Sequence, residues 1–206
     1  MPGWLSELLA FGELGVRHIL GPGALDHELF LLALAAIYRP RDWRDAWWVV
    51  TAFTVGHSLT LVLAVTGAMR LPMPLIEFLI PVTIVATAVE NIAVRDRTLS
   101  PWRGRYRAVF AGVFGLVHGA GFANYLQSIF VDRIAVPLLG FNLGIELGQI
   151  IVLAAAAVLL SGADQVIARV RLPGPTPPLR LRAVGVSVLV ACIAGRWVLE
   201  RNPWWR

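Results

Sequence analysis

"AWWVVTAFTVGHSLTLVLAVTGAM", residues 46–69, is the stretch that decides the fold of this chain. The run is apolar, contains no Asp, Glu, Lys or Arg, and carries His57 near its middle. A bilayer core of about 30 Å is crossed by roughly 20 helical residues, so the run predicts a transmembrane helix. Thr51, Thr54 and Ser58 fall at helical spacing with His57, which predicts one polar stripe at mid-membrane depth.

Similar apolar runs fill the rest of the chain, which has 206 residues and is 57% hydrophobic. This is the composition of a membrane protein. The predicted helices lie near 4–20, 24–38, 46–69, 72–93, 107–127, 137–161 and 183–199, the first being shorter and more polar than the others. The sequence therefore predicts an all-α, polytopic membrane helical bundle of six to seven transmembrane helices, in a single domain over residues 1–206. We expect residues 1–20 to stay in the mature protein, because they lack the charged start and small-residue cleavage site of a signal peptide.

All 18 basic residues are arginines, and the formal net charge is +5. They concentrate in the connections 38–46, 95–107 and 169–182, whereas Arg70 and Arg133 stand alone in the opposite connections. The positive-inside rule places the arginine-rich connections in the cytoplasm. This distribution favours topology determination over nucleic-acid binding as the reason for the charge.

Two further features bear on topology and metal chemistry. The tail 196–206 carries three arginines and falls outside the cell in this topology, which is a contrary sign. Cys192 is the only cysteine, so the sequence excludes an intrachain disulfide and a multi-cysteine metal site.

The four histidines all lie within or at the mouth of predicted spans. His18 and His27 lie in the segment "HILGPGALDHELFLL" (18–32), which also contains Asp26, while His57 and His118 stand near the middle of their spans. Ionisable side chains are rare in membrane helices and face the bundle interior, where they find partners. A single such histidine is as readily a hydrogen-bond anchor as a ligand, but four of them with acids on several helices favour a functional polar site.

A second polar face lies on the predicted helix 137–161, where Asn142, Glu146 and Gln149 share one side. Placing an ionised residue at mid-bilayer costs about 2.5–3.5 kcal/mol, so the charge of Glu146 needs a partner. A divalent cation supplies one. Imidazole and carboxylate suit Ni²⁺, Co²⁺, Zn²⁺ or Fe²⁺, and the lack of a thiolate cluster argues against Cu⁺. Spacing alone does not choose among the four metals.

The pattern thus divides the intramembrane polar residues into three groups. The candidate metal ligands are His18, Asp26, His27, His57, His118 and Glu146. The candidate supporting polar residues are Ser58, Glu90, Asn142 and Gln149. Thr83 and the other span threonines are assigned to packing, because threonine commonly donates to its own helix backbone.

Four segments, "HILGPGALDHELFLL", "TAFTVGHSLTL", "FGLVHGAGFA" and "FNLGIELGQ", resemble signature segments of the HupE/UreJ family of bacterial membrane proteins and occur in the family order. The resemblance runs from about residue 12 to residue 150. It implies a bundle of about six helices in the bacterial cytoplasmic membrane and a permease for nickel or cobalt. Carried onto this chain, the family motif points to His18, Asp26, His27, His57, His118 and Glu146.

Three functions are compatible with these residues. The first is a carrier that moves a divalent transition metal, nickel above all, through an intramembrane His/Asp/Glu site; its partners are the lipid bilayer and the ion, with no nucleic acid. The second is an intramembrane zinc hydrolase, in which three histidines, Asp26 and Ser58 hold a zinc with an open position for water. The third is a non-transporting assembly factor. The sequence leaves the oligomeric state open, a homo-oligomer included.

Overall fold

The computed structural model describes residues 2–69, 72–94, 106–129, 134–170 and 177–205. Within them the chain forms seven α-helices, a 3₁₀ turn at Pro40–Asp42 and no strand. The helices are α1 (Gly3–Leu20), α2 (Leu25–Ala35), α3 (Trp43–Val65), α4 (Met73–Ala93), α5 (Tyr106–Ile129), α6 (Ala135–Val170) and α7 (Pro178–Glu200). The prediction of an all-α membrane bundle is confirmed. Arg70, Arg133 and the segments 95–105 and 171–176 lie outside the described residues.

The lengths of three helices differ most from the prediction, and one of them, α7, begins five residues early at Pro178. Helix α2 has 11 residues, which span only about 16 Å at 1.5 Å per residue, so it crosses about half a bilayer. Helix α6 has 36 residues and runs well beyond the predicted end at residue 161. By length and composition four of the described helices, α3, α4, α6 and α7, can each cross a membrane.

Close glycine contacts fix the directions of the helices. A methyl group on Gly56 of α3 would collide with the carbonyl oxygen of Gly112 of α5, and one on Gly119 would collide with that of His57. Residue numbers rise together along this pair, so α3 and α5 are parallel. Small residues permit such close backbone approach.

The pair formed by α1 and α6 is parallel in the same way. Gly140 of α6 packs on the backbone of Leu8, and further along Gly148 packs on Ile19. Helix α6 is antiparallel to α3 and α5, so α1 is antiparallel to them as well. The end of the bundle where α3, α5 and α7 finish is called the cavity end. The end where these three helices begin is called the arginine end.

Helices α1 and α2 together make one broken crossing of the bundle. Helix α1 starts at the cavity end beside the start of α6, and α2 finishes at the arginine end, where Arg182 donates hydrogen bonds to the carbonyl oxygens of Ala36 and Tyr38. Such bonds satisfy the carbonyls that the last turn of a helix leaves without partners. The break occurs at the Gly-Pro-Gly segment 21–23, where proline cannot donate a backbone bond. The break lines a cavity, as in the discontinuous helices of transporters.

A buried polar network closes the arginine end. Asn91 of α4 donates to the carbonyl oxygen of Ala33 (2.7 Å) and to the hydroxyl of Ser187 (3.1 Å), and it accepts a bond from Arg107 (2.8 Å). Arg107 also forms an ion pair with Glu90 at 3.0 Å. The network ties α2, α4, α5 and α7 together. Glu90 therefore has a structural role, as a member of this network.

Candidate metal centre

The four histidines come from four helical segments and meet near the middle of the bundle. His18 lies in the last turn of α1 and His27 in the first turn of α2, on either side of the helix break. His57 and His118 lie near the middle of the parallel helices α3 and α5. The break therefore brings two histidines that are nine positions apart in the sequence to the same depth as the other two.

Three of the histidines form a group that can hold a metal ion. His18, His27 and His57 each offer a ring nitrogen, and these nitrogens lie within 4.8 Å of one another. The ring centroids are 4.7 Å apart for His18 and His27 and 5.9 Å apart for His27 and His57. His118 adjoins the group, with its centroid 5.1 Å from that of His27.

Asp26 fixes the orientation of His27. Its Oδ1 accepts a bond from the backbone N–H of His27 at 2.8 Å and lies 2.9 Å from the ring Nδ1. An ionised carboxylate only accepts hydrogen bonds, so Nδ1 of His27 keeps its proton and donates, and the lone pair is on Nε2. Histidines that bind metals are commonly oriented in this way by a carboxylate.

The ring nitrogens facing the interior lack hydrogen-bond partners among the described residues. Nε2 of His18, Nε2 of His27 and both nitrogens of His57 are buried without a partner. His57 is fully buried, with 0% of its surface exposed. A buried polar group left without a partner costs about 1–3 kcal/mol of folding free energy. These unpartnered nitrogens are therefore suited to binding a ligand.

The spacing of the nitrogens fits a small cation. Imidazole nitrogens bind first-row metals at about 2.1 Å, which places tetrahedral ligand atoms about 3.4 Å apart. The three nitrogens all lie within 4.8 Å of one another, which is at most about 1.4 Å more than this spacing. The donor set is nitrogen, which suits nickel, cobalt and zinc.

A cavity of about 500 Å³ leads from the cavity end to this group. Its inner wall includes His18, Asp26, His27 and His118, and its outer part is lined by residues such as Glu77. One side is formed by the Gly-Pro-Gly segment 21–23, whose small residues leave room beside the rings. The centre is therefore reached from one end of the bundle.

A family model described as HupE/UreJ protein matches residues 3–201. The chain belongs to the HupE/UreJ family. This family is associated with nickel and cobalt uptake, as the resemblance of the four segments implied. No curated protein and no solved structure matches the chain.

The carboxylate of Glu146 is not part of the histidine group in this HupE/UreJ protein. Glu146 is half-buried on α6 and forms no hydrogen bond or ion pair with the described residues. Sequence placed it with the histidines because its helix also carries Asn142 and Gln149, but periodicity does not give the rotation of a helix within a bundle. Asp26 is the acid that contacts a histidine of the group.

The predicted supporting residues separate into different places. Gln149 is buried and accepts a bond from Thr54 at 2.8 Å, which joins α3 to α6. Ser58 donates to the carbonyl oxygen of Thr54 in its own helix at 2.7 Å. Asn142 has a buried carbonyl oxygen without a partner among the described residues, and Glu90 belongs to the arginine-end network.

Two residues of the site escaped sequence reasoning. Thr83, assigned to packing, has its hydroxyl oxygen 3.0 Å from Nε2 of His118. Phe122 lies against His18, with centroids 4.1 Å apart, and stacks on Phe141. Thr83 entered the sequence analysis only as a packing residue, because no pattern in the sequence shows which helix faces His118.

Proposed function

We propose that this protein carries a divalent transition metal, nickel above all, across the bacterial cytoplasmic membrane, with His18, His27 and His57 as the ligands that receive the ion. The observation that carries this proposal is the group of buried imidazoles without partners at the inner end of the cavity. Membership of a family associated with nickel and cobalt uptake supports the choice of metal. The ion is the substrate and leaves the site in each cycle.

The direction of transport follows from the arginines. One end of the bundle, opposite to the mouth of the cavity, carries five arginines: Arg39, Arg41, Arg107, Arg180 and Arg182. The positive-inside rule assigns that end to the cytoplasm. The cavity then opens to the outside, and the membrane potential favours inward movement of a cation by about 2.3 kcal/mol per charge per 100 mV.

Alanine substitutions of the histidines test the proposal. We expect His18→Ala, His27→Ala and His57→Ala each to lower nickel uptake at least as much as the roughly 10–100-fold that loss of an orienting residue costs in affinity. Uptake is measured in cells and in liposomes with tag-free protein, beside membrane abundance. Thr60→Val is the matched control, because Thr60 is buried on the same helix as His57 and donates only to the carbonyl oxygen of Gly56. Normal uptake by all three histidine variants would refute the proposal.

Asp26→Asn tests the role of the carboxylate. An amide can accept the Nδ1–H bond of His27 but carries no charge, so we expect nickel affinity to fall while expression is unchanged. Asp26→Ala removes the acceptor altogether and should weaken binding further. Equal affinity in all three proteins would show that Asp26 plays no part in binding.

The rival function is hydrolysis by a resident zinc, and the three-histidine group beside an open cavity is the observation that favours it. Catalytic zinc sites keep three protein ligands and one position for water. Metal analysis of tag-free protein distinguishes the two functions. A carrier exchanges its ion on dialysis, whereas a hydrolase retains stoichiometric zinc.

A further inference from the structure

Thr83 determines which nitrogen of His118 is free. Oγ1 of Thr83 lies 2.7 Å from the carbonyl oxygen of Ile80 and 3.0 Å from Nε2 of His118. Two oxygens at 2.7 Å need a hydrogen between them, and the carbonyl has none to give. The single hydroxyl hydrogen of Thr83 is therefore donated to Ile80.

This leaves Oγ1 as an acceptor, so Nε2 of His118 carries its proton and donates it to Thr83. The other nitrogen, Nδ1, then holds the lone pair. It is buried and has no partner among the described residues. His118 is thus held in the tautomer whose remaining nitrogen can bind a cation.

We propose that Thr83 is a positioning residue that presents Nδ1 of His118 as a fourth nitrogen ligand beside His18, His27 and His57. This inference rests on the proposed function and adds a ligand to it. Asp26 does the same for His27 through the opposite ring nitrogen. Each of these two histidines has one nitrogen bonded to a fixed oxygen and one nitrogen without a partner.

The test compares Thr83→Val, Thr83→Ser and Thr87→Val in tag-free protein titrated with Co²⁺, followed by its visible absorption. We expect Thr83→Val to weaken binding roughly 10–100-fold and to change the absorption bands, because a nitrogen ligand is lost or displaced. Thr83→Ser keeps the hydroxyl and should restore both. Thr87→Val is the control, since Thr87 is buried one turn away and donates to the carbonyl oxygen of Thr83.

Wild-type affinity and bands in Thr83→Val would overturn the role of Thr83 while leaving the carrier proposal intact. Failure of Thr83→Ser to restore them would also overturn it, since the hydroxyl would not be the active feature. If the wild-type protein binds no Co²⁺ or Ni²⁺, the proposed function itself fails.

An independent inference comes from a motif that occurs twice. Helices α1 and α5 both carry Gly-x-x-Gly-x-x-His. The members are Gly12, Gly15 and His18 in α1 and Gly112, Gly115 and His118 in α5. Their partner helices also match, with "FTVGHSL" (53–59) in α3 and "FNLGIEL" (141–147) in α6.

The contacts of the two pairs correspond residue by residue. A methyl group on Gly115 would collide with the carbonyl oxygen of Phe53, and one on Gly15 would collide with that of Phe141. The reverse contacts correspond as well, Gly56 meeting Gly112 and Leu116 while Gly144 meets Gly12 and Val16. The pairs α1·α6 and α5·α3 are therefore two copies of one packing unit.

The copies run in opposite directions. Helix α1 starts at the cavity end and α5 at the arginine end, so a two-fold axis in the membrane plane relates the pairs. His18 and His118 are equivalent under this axis, and both adjoin His27. Inverted repeats of this kind place the substrate at their interface and let it be reached alternately from each face.

A second cavity, of about 190 Å³, lies toward the arginine end and is lined by Phe30, Thr87, Glu90 and Arg107 among others. Phe30 stands between this cavity and the histidines, since its ring is 5.3 Å from that of His118 and 4.7 Å from that of Phe53. A layer of aromatic side chains thus separates the metal centre from the arginine end.

We infer that the two packing units, α1·α6 and α5·α3, rock against each other, so that a second state opens the aromatic layer and closes the cavity end. This inference rests on the carrier proposal and gives it an alternating-access mechanism. The test uses single cysteines at Met73, which lines the cavity end, and at Thr87, in a Cys192→Ala background. Labelling with an impermeant maleimide is measured in oriented vesicles with and without a nickel gradient.

During uptake, labelling of Thr87→Cys from the arginine end should rise while labelling of Met73→Cys falls. Ser187→Cys, fully buried toward the arginine end, is the control and should stay protected. Protection of Thr87→Cys during active uptake would overturn the inference, and simultaneous labelling of both sites would indicate an open pore. Absence of wild-type uptake would instead refute the carrier.

Discussion

Replacing His57 by leucine should make the metal-free protein more stable and abolish its response to metal. His57 is fully buried, and neither ring nitrogen has a hydrogen-bond partner among the described residues. Leaving a buried donor or acceptor unpaired costs about 1–3 kcal/mol, whereas an apolar side chain of similar size has no such cost. The free energy of unfolding of the His57→Leu variant should therefore rise by about 1–3 kcal/mol.

The metal response should change in the opposite sense. A ligand that binds only the folded state adds about 2.7 kcal/mol at a concentration of 100 times its Kd. The wild-type protein should show this gain with nickel, and the His57→Leu variant should lose nearly all of it. If His57 is kept for metal binding at a cost in stability, its replacement should raise the stability of the metal-free protein and abolish its function.

Thermal unfolding of purified protein in detergent, followed by tryptophan fluorescence with and without nickel, measures both effects. A change of 1 kcal/mol moves Tm by roughly 2–4 °C for a domain of this size. Thr60→Val serves as the control and should keep the nickel shift, because its hydroxyl bonds only within its own helix. A metal-free His57→Leu variant that melts below wild type would refute the reasoning about orphaned nitrogens, and a retained nickel shift would refute His57 as a ligand.

Proton competition, membrane orientation and helix packing give three further predictions. Nickel affinity should fall in acid, since a protonated imidazole has no lone pair for a metal, and burial should move the fall well below the pH of about 6.5 at which a free imidazole titrates; an affinity that stays constant in equilibrium dialysis down to the pH at which the protein unfolds would contradict histidine ligation. In a Cys192→Ala background, an impermeant maleimide should label Ala68→Cys but not Arg41→Cys in intact cells, and the reverse pattern would invert the orientation. Gly56→Ala should lower Tm and membrane abundance, because its methyl group meets the carbonyl oxygen of Gly112; wild-type stability would show that α3 and α5 can separate freely.

The sequence by itself determined the class of the protein and most of its helices. Runs such as 46–69 have the length and composition that a bilayer demands, and that constraint acts locally on each segment. The four histidines could be singled out for the same reason, because an ionisable side chain in a membrane span is costly wherever the helix packs. The family resemblance rested on these same segments.

Only the tertiary structure decided which of these residues meet. Helical periodicity gives the face on which Glu146 lies but not the neighbour that the face meets, so its carboxylate was grouped with histidines that it does not join. Thr83 was assigned to packing because threonine commonly donates to its own helix backbone, and its bond to His118 joins residues 35 positions apart on two helices, which the sequence does not show. Helices α1 and α2 likewise read as separate spans, because the direction of α1 is set by its packing on α6 and not by its own residues.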